Sequence, residues 1–242
     1  MKLAIDIGNT KVKLALFSED KIITELSVSH KIIQEQISIL CKKHPIKHGI
    51  VSSVTDLNPE NLGFNKTEIS ILNLDNKTKI PFANNCGTAT KLGTDRIALI
   101  AGAKFLYPST NVLVIDAGTC ITYDYLTASG EYLGGAIAPG IEMRYKALNH
   151  FTSKLPLIEK EKPTNLLGKN TKDCMHIGIF DAMIFEIDGF IKSYKEQYGA
   201  ITVILSGGDA TFLCNSLKSK IFVKPNLAMT GLNNILEYHL NV

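Results

Sequence analysis

Asp6-Ile7-Gly8-Asn9-Thr10 and Asp116-Ala117-Gly118-Thr119 repeat one short pattern, Asp-x-Gly followed by small polar residues, about half a chain apart. A turn of this kind offers backbone N–H groups to phosphate oxygens. Asp6, at the end of an apolar run, can hold a magnesium ion through water, because Mg²⁺ takes one or two carboxylates and completes its shell with phosphate oxygens and water. Strand alternation puts Lys13 on the same face as Lys11, where it would offset phosphate charge. One such turn alone is an ordinary Asx-stabilised hairpin. Two of them, one from each half of the chain, can face each other across a cleft and grip a nucleoside triphosphate.

Three further segments carry candidate chemistry. Gly93-Thr94-Asp95-Arg96 stands at a predicted helix N-terminus, where the helix dipole steadies Asp95 as an anion. Asp95 could then act as a general base toward a substrate hydroxyl, with the Arg96 fork as a clamp for phosphate or carboxylate. The plain alternative is helix capping by Thr94 beside a favourable first-turn acid and a surface arginine. Ser206-Gly207-Gly208-Asp209-Ala210 follows an apolar strand and reads either as an adenosine contact or as a strand-to-helix turn. Gly134-Gly135-Ala136-Ile137-Ala138-Pro139-Gly140 reads either as a close-packed wall of the cleft or as a packing turn. His44 and His48 are four apart with Pro45 between them, and no zinc site is expected there.

The elements that must position these groups are those of an α/β chain. Residues 3–17 (LAIDIGNTKVKLALF) and 113–126 (LVIDAGTCITYDYL) each read as a β-hairpin whose turn carries the aspartate. The repeat suggests two similar lobes, 1–110 and 111–242, divided near Pro108-Ser109-Thr110. Helices are expected over 32–43, 94–106 with Thr94 as N-cap, 140–151, 232–240, and as one long helix from Asn170 or Thr171 to Tyr198, ended by Gly199. The stripe Met175, Ile179, Met183, Ile187 and Ile191 is core or dimer interface. Strands are expected over 49–54, 68–74, 201–205 and up to Gly134-Gly135, with a loop over 56–66 and helical sequence over 210–217.

With 242 residues, the chain is long enough for one large domain or two lobes with separate cores. A formal net charge of +3, from 26 basic and 23 acidic residues, argues against a nucleic-acid partner on charge alone. The start of the chain lacks a signal-peptide core, and no apolar run reaches transmembrane length. Five cysteines, at 41, 86, 120, 174 and 214, form no C-x-x-C pair and leave an odd count. Reduced thiols and a cytoplasmic location are expected, with no membrane partner.

Taken in order, these segments resemble the type III pantothenate kinases. The resemblance rests on Asp6-Ile7-Gly8-Asn9-Thr10 with Lys13, Ser52-Ser53-Val54, Gly93-Thr94-Asp95-Arg96, Asp116-Ala117-Gly118-Thr119 with Thr122, the segment 134–140, Asn170-Thr171 and Ser206-Gly207-Gly208-Asp209. It spans nearly the whole chain. It implies two ribonuclease H-like lobes of the actin-like ATPase fold around a central nucleotide cleft. It also implies phosphorylation of pantothenate by ATP to 4′-phosphopantothenate, the first step of coenzyme A synthesis. Asp6, Ile7, Gly8, Asn9, Thr10, Lys11, Val12 and Lys13 then match the segment for ATP phosphates and metal, and Thr119 an ATP contact. Asp95 matches the proton acceptor. Gly93, Thr94, Asp95, Arg96 and Thr171 match pantothenate contacts, and Asp116 the ligand of a monovalent cation, potassium or ammonium. The family is dimeric, so a homodimer is implied. Cys86 stands where the family often has a tyrosine lining the pantothenate pocket, which leaves a smaller wall without a phenol hydroxyl. Cys120 stands where alanine is common. Three other readings fit the same residues: a kinase for another small hydroxyl compound such as a sugar, a non-catalytic nucleotide-binding regulator, and a structural α/β protein with coincidental turns.

Overall fold

The computed structural model describes residues 1–55, 62–64, 69–86 and 92–241. Its elements run β1 (Lys2–Ile7), β2 (Val12–Ser18), β3 (Lys21–Val28), α1 (Ile33–Lys43), β4 (His48–Ser53), β5 (Ser70–Asn73), β6 (Ala83–Asn84), α2 (Thr94–Leu106), β7 (Val112–Ala117), β8 (Cys120–Leu126), β9 (Glu131–Pro139), α3 (Ile141–Phe151), α4 (Thr171–His176), α5 (Ala182–Tyr198), β10 (Thr202–Ser206), α6 (Ala210–Leu213), β11 (Phe222–Val223) and α7 (Leu227–Leu240). The chain forms two compact units. The first holds Met1–Ser109, Leu126–Leu133 and Asn226–Val242; the second holds Thr110–Tyr125 and Gly134–Pro225. The first unit thus takes in two stretches from beyond residue 110.

In the first unit the sheet order is β3-β2-β1-β4-β5. Its central strand β1 buries Leu3, Ile5 and Ile7 on one face and Ala4 on the other, as a strand covered on each side does. Each of the larger side chains contributes about 1.5–3 kcal/mol by leaving water. The edge strand β3 alternates exposed and half-buried residues instead. Helices α2 and α7 pack almost backbone to backbone. A Cβ added at Gly231 would lie 1.7 Å from the Ala98 carbonyl oxygen, and one at Gly102 would lie 2.4 Å from that of Leu227. Two glycines, rather than apolar bulk, therefore set how the C-terminal helix seats on the first unit.

In the second unit the strands follow the order β11-β10-β7-β8-β9. β10 and β7 run parallel, with Ser206 across from Asp116. Ile179, Met183, Ile187 and Ile191 are buried in the core of this unit, so the long stripe is core. Among the described residues no helix is long and apolar enough to cross a membrane.

Several elements differ from expectation. The long helix from residue 171 is interrupted by a π turn over Ile177–Asp181, although Asn170 does cap α4 by accepting from the Asp173 N–H at 2.9 Å. Gly199 closes α5 at φ +76°. β9 runs on past Gly134-Gly135 to Pro139. The last helix starts at Leu227 rather than near 232, and the segment after Asp209 is helical only over Ala210–Leu213 before a short 3₁₀ turn. Of the loop expected over 56–66, positions 56–61, 65 and 66 lie outside the described residues, as does Glu68 of the strand expected there.

Candidate active site

The first hairpin forms where expected, but Asp6 sits inside β1 and not in the turn. The turn proper is Gly8 to Lys11, closed by the Gly8 N–H donating to the Lys11 carbonyl at 3.1 Å. Asn9, Thr10 and Lys11 are exposed there. Lys11 lies before β2 begins, so it does not share a strand face with Lys13 as alternation suggested. Lys13 instead stands directly across from Asp6 on the paired strand. Ile7 and Val12 are fully buried in the core, which leaves only their backbone to face a ligand. His30 holds the turn from outside, its ring Nε2 lying 2.9 Å from the Gly8 carbonyl oxygen. Nothing in the sequence marked that histidine.

Next to Asp6 on its other side, in parallel register, is Ser52 of β4. Ser52 is fully buried. Its hydroxyl donates to Thr94 Oγ1 at 3.0 Å, and the Thr94 hydroxyl donates to the Ser53 carbonyl at 3.1 Å. Thr94 is therefore the first residue of α2 and not its cap; the N-cap is Gly93, and no side chain caps the helix. The Thr94 side chain is used in tying the helix to β4. Asp95 follows, in the first turn. Its Oδ1 accepts the Arg96 N–H at 2.8 Å. Gly93 makes room for this, since a Cβ there would lie 2.4 Å from the same oxygen.

Burial pushes Asp6 up from 3.8 to about 6. Lys13 pulls it down, the Asp95 charge raises it, and the neighbouring Ser52 hydroxyl lowers it. The three strands and the helix head thus bring Asp6, Lys13, Ser52, Thr94 and Asp95 into one electrostatic neighbourhood. Arg96 turns to another neighbour. Its Nη2 donates to the Tyr132 hydroxyl at 2.8 Å, with the guanidinium 6.0 Å from the ring centroid. Tyr132 is fully buried and meets Phe82 edge-on at 6.3 Å. Cys86 lies half-buried just past β6, whose Asn84 pairs with Tyr132. That pairing puts Cys86 near the tyrosine that holds Arg96. Residue spacing gave no hint of Tyr132.

The second unit carries the other hairpin. Asp116 is again inside a strand, β7, and the turn closes by the Gly118 N–H donating to the Cys120 carbonyl at 2.9 Å. Thr119 is exposed at the tip. Two glycines press on this turn. A Cβ at Gly140 would lie 2.1 Å from the Gly118 carbonyl oxygen and 2.5 Å from that of Thr119. One at Gly207, which has φ +94°, would lie 2.2 Å from the Ala117 carbonyl oxygen. The first glycine of the 207–208 pair therefore serves contact between backbones, and Gly208 is the open one. Asp209 donates its N–H to the Ala117 carbonyl at 3.0 Å and pairs with Lys160 at 2.5 Å. Thr171 is exposed at the start of α4. Arg144 of α3 donates to Glu186 of α5 at 2.7 Å, Glu186 also accepts the Tyr123 hydroxyl, and the second hairpin's strand β8 is thereby pinned to both helices.

A family model described as type III pantothenate kinase matches residues 2–193. The chain belongs to the type III pantothenate kinase family. A relative named type III pantothenate kinase from Christiangramia forsetii is 43% identical over 240 residues, covering 99% of this chain and 99% of that protein. One of the same name from Flavobacterium psychrophilum is 39% identical over 239 residues, covering 98% and 99%. Among solved structures, a conserved protein from Campylobacter jejuni described as a Baf family transcriptional activator superposes with TM-score 0.67 at 22% identity, covering 99% of this chain and 100% of that chain. A ROK family glucokinase from Streptomyces griseus, solved with glucose and AMPPNP, superposes with TM-score 0.54 at 10% identity, covering 100% and 99%. At such identities the structural likeness establishes the fold, which is that of the actin-like ATPases and sugar kinases, as expected for a type III pantothenate kinase.

Proposed function

We propose that this chain transfers the γ-phosphoryl group of ATP to the primary hydroxyl of pantothenate, giving ADP and 4′-phosphopantothenate, the first step toward coenzyme A. The observation that carries the reading is Asp95 held at the head of α2 within electrostatic reach of Asp6 and Lys13, in a chain of this family. In this reading Asp95 accepts the proton of the substrate hydroxyl as its oxygen attacks the γ-phosphorus and ADP leaves. The bond from the Arg96 N–H holds the Asp95 carboxylate in place for that task. Lys13 and the N–H groups of residues 8–11 meet the phosphates of ATP, and the exposed tip of the second hairpin, with Thr119, adds a further contact. Arg96, fixed by Tyr132, and Gly93 and Thr94 hold pantothenate, with Thr171 from α4 and the Cys86 wall completing its site.

Among the described residues no group of three or more His, Cys, Asp or Glu side chains could cage a metal ion. Magnesium needs no such cage when phosphate oxygens supply most of its shell, and a desolvated carboxylate such as Asp6 suits it. When bound, the ion would neutralise charge on the β- and γ-phosphates. Asp116 is assigned a monovalent cation, potassium or ammonium. A homodimer is supported by the apolar side chains that the second unit leaves exposed, Ile137 of β9 and Phe185 of α5. Five free cysteines support a cytoplasmic enzyme.

The test is a coupled ADP-release assay with pantothenate, with and without potassium. ADP formation that depends on pantothenate is the expected result. Activity with a sugar but not with pantothenate overturns the acceptor, and nucleotide binding without ADP release under any acceptor overturns the catalytic reading.

A further inference from the structure

We infer that Ser52 is a positioning residue of the phosphoryl-transfer site, its hydroxyl tying the strand beside Asp6 to the acceptor segment at Thr94. The inference rests on the roles proposed above for Asp6 and Asp95. Ser52 is fully buried near the end of β4, an interior strand of the sheet, where an apolar residue is the usual occupant. Its hydroxyl donates to Thr94 Oγ1 at 3.0 Å, and Ser52 stands directly beside Asp6 in the parallel register. Thr94 relays the chain to the Ser53 carbonyl at 3.1 Å.

The count of protons gives this chain a direction. A serine hydroxyl has one proton and two lone pairs. That proton goes to Thr94, so Ser52 is the donor of the link. The link ties the strand beside Asp6 to the first residue of α2, one position before Asp95. These bonds fix the spacing between β4 and the helix head, and neighbouring hydrogen bonds in a low-dielectric interior reinforce one another. Thr94 contributes no cap to α2, so its hydroxyl is committed to this link.

The experiment compares Ser52→Ala, Ser52→Cys, Thr94→Val and the Ser52→Ala/Thr94→Val double variant with wild type and with Asp95→Asn, in the ADP-release assay with ATP and pantothenate. Cysteine keeps the volume but donates weakly, so it separates a lost hydrogen bond from a cavity. Both Ser52 variants should lower kcat about ten-fold, the worth of one buried hydrogen bond in the reacting geometry, with KM for ATP within two-fold and Ser52→Cys melting like wild type. The double variant should be no slower than the slower single variant, because both substitutions break one link. If Ser52→Cys keeps wild-type kcat, or the two losses multiply, the inference falls. If Asp95→Asn is inactive while both Ser52 variants are normal, it alone falls. If Asp95→Asn is fully active, the proposed roles fall and the inference with them.

Discussion

Gly140 offers a sharp test of whether the second hairpin positions ATP. Its backbone, at φ −70° and ψ 171°, is one that alanine adopts freely. Gly140→Ala therefore adds a methyl group and no torsional strain. That methyl would sit 2.1 Å from the Gly118 carbonyl oxygen and 2.5 Å from that of Thr119, where ordinary contact begins at 3.4 Å. The tip of the hairpin must retreat by roughly 1 Å or more, at a cost of about 1–3 kcal/mol for overpacking. In a chain of this size that lowers the melting temperature by about 2–4 °C for each kcal/mol. A misplacement of ~1 Å at a reacting centre costs on the order of 100-fold in rate. The variant should thus stay folded at the assay temperature and lose roughly two orders of magnitude in kcat in the ADP-release assay. Gly178→Ala is the control, because a Cβ there meets nothing within 4 Å; it should keep wild-type kcat and melt at or slightly above wild type. A Gly140→Ala enzyme whose melting temperature drops as expected while its kcat stays within two-fold of wild type refutes the placement of this hairpin at the triphosphate.

Asp95→Asn removes the proposed proton acceptor and should lower kcat by about 10²–10⁴-fold with an unchanged melting curve; near-normal turnover removes Asp95 from that role. Tyr132→Phe deletes the hydroxyl that accepts from Arg96, and KM for pantothenate should rise about five- to ten-fold with little change in kcat; an unaltered KM speaks against Arg96 as the acceptor clamp. Burial lifts Asp6 to about 6, so between pH ~4 and ~6 the folded chain holds a proton that the unfolded chain has released. Stability falls as pH rises through that window and the deficit is full above it, at most roughly 3 kcal/mol. In protein free of metal and nucleotide, Asp6→Asn should therefore resist urea better than wild type at pH 8 and lose that advantage near pH 4; a gain independent of pH contradicts the assignment.

Much of this was legible locally. The apolar runs at 3–7 and 113–117 could only be buried strands, and Gly8 and Gly118 could only follow them as turns, because those signals depend on residues a few positions apart. Gly93-Thr94-Asp95-Arg96 announced a helix head, and α2 begins there. Even so, local pattern misassigned individual side chains. Thr94 is the type of residue that caps a helix, but β4 offered it a serine hydroxyl and a carbonyl, and the longer-range bonds won. Lys11 has the spacing of a strand neighbour, but the turn claimed it. The helix expected to run unbroken from 171 to 198 carries a π turn, because periodicity of apolar residues does not register one extra residue in a turn.

By itself the sequence determined the α/β class, the two aspartate-bearing hairpins, the acid and arginine at the head of α2, and a set of motifs in the order of one kinase family. Only the tertiary structure decided that α7 returns to the first unit, that Gly140 and Gly207 press on the second hairpin, that Tyr132 holds Arg96, and that Ser52 stands between Asp6 and Thr94. The division has a physical cause. Strand, turn and helix preferences are set by backbone sterics and polarity over a few residues, whereas close approach of distant backbones and bonds between side chains 36 or more positions apart exist only once the chain has folded.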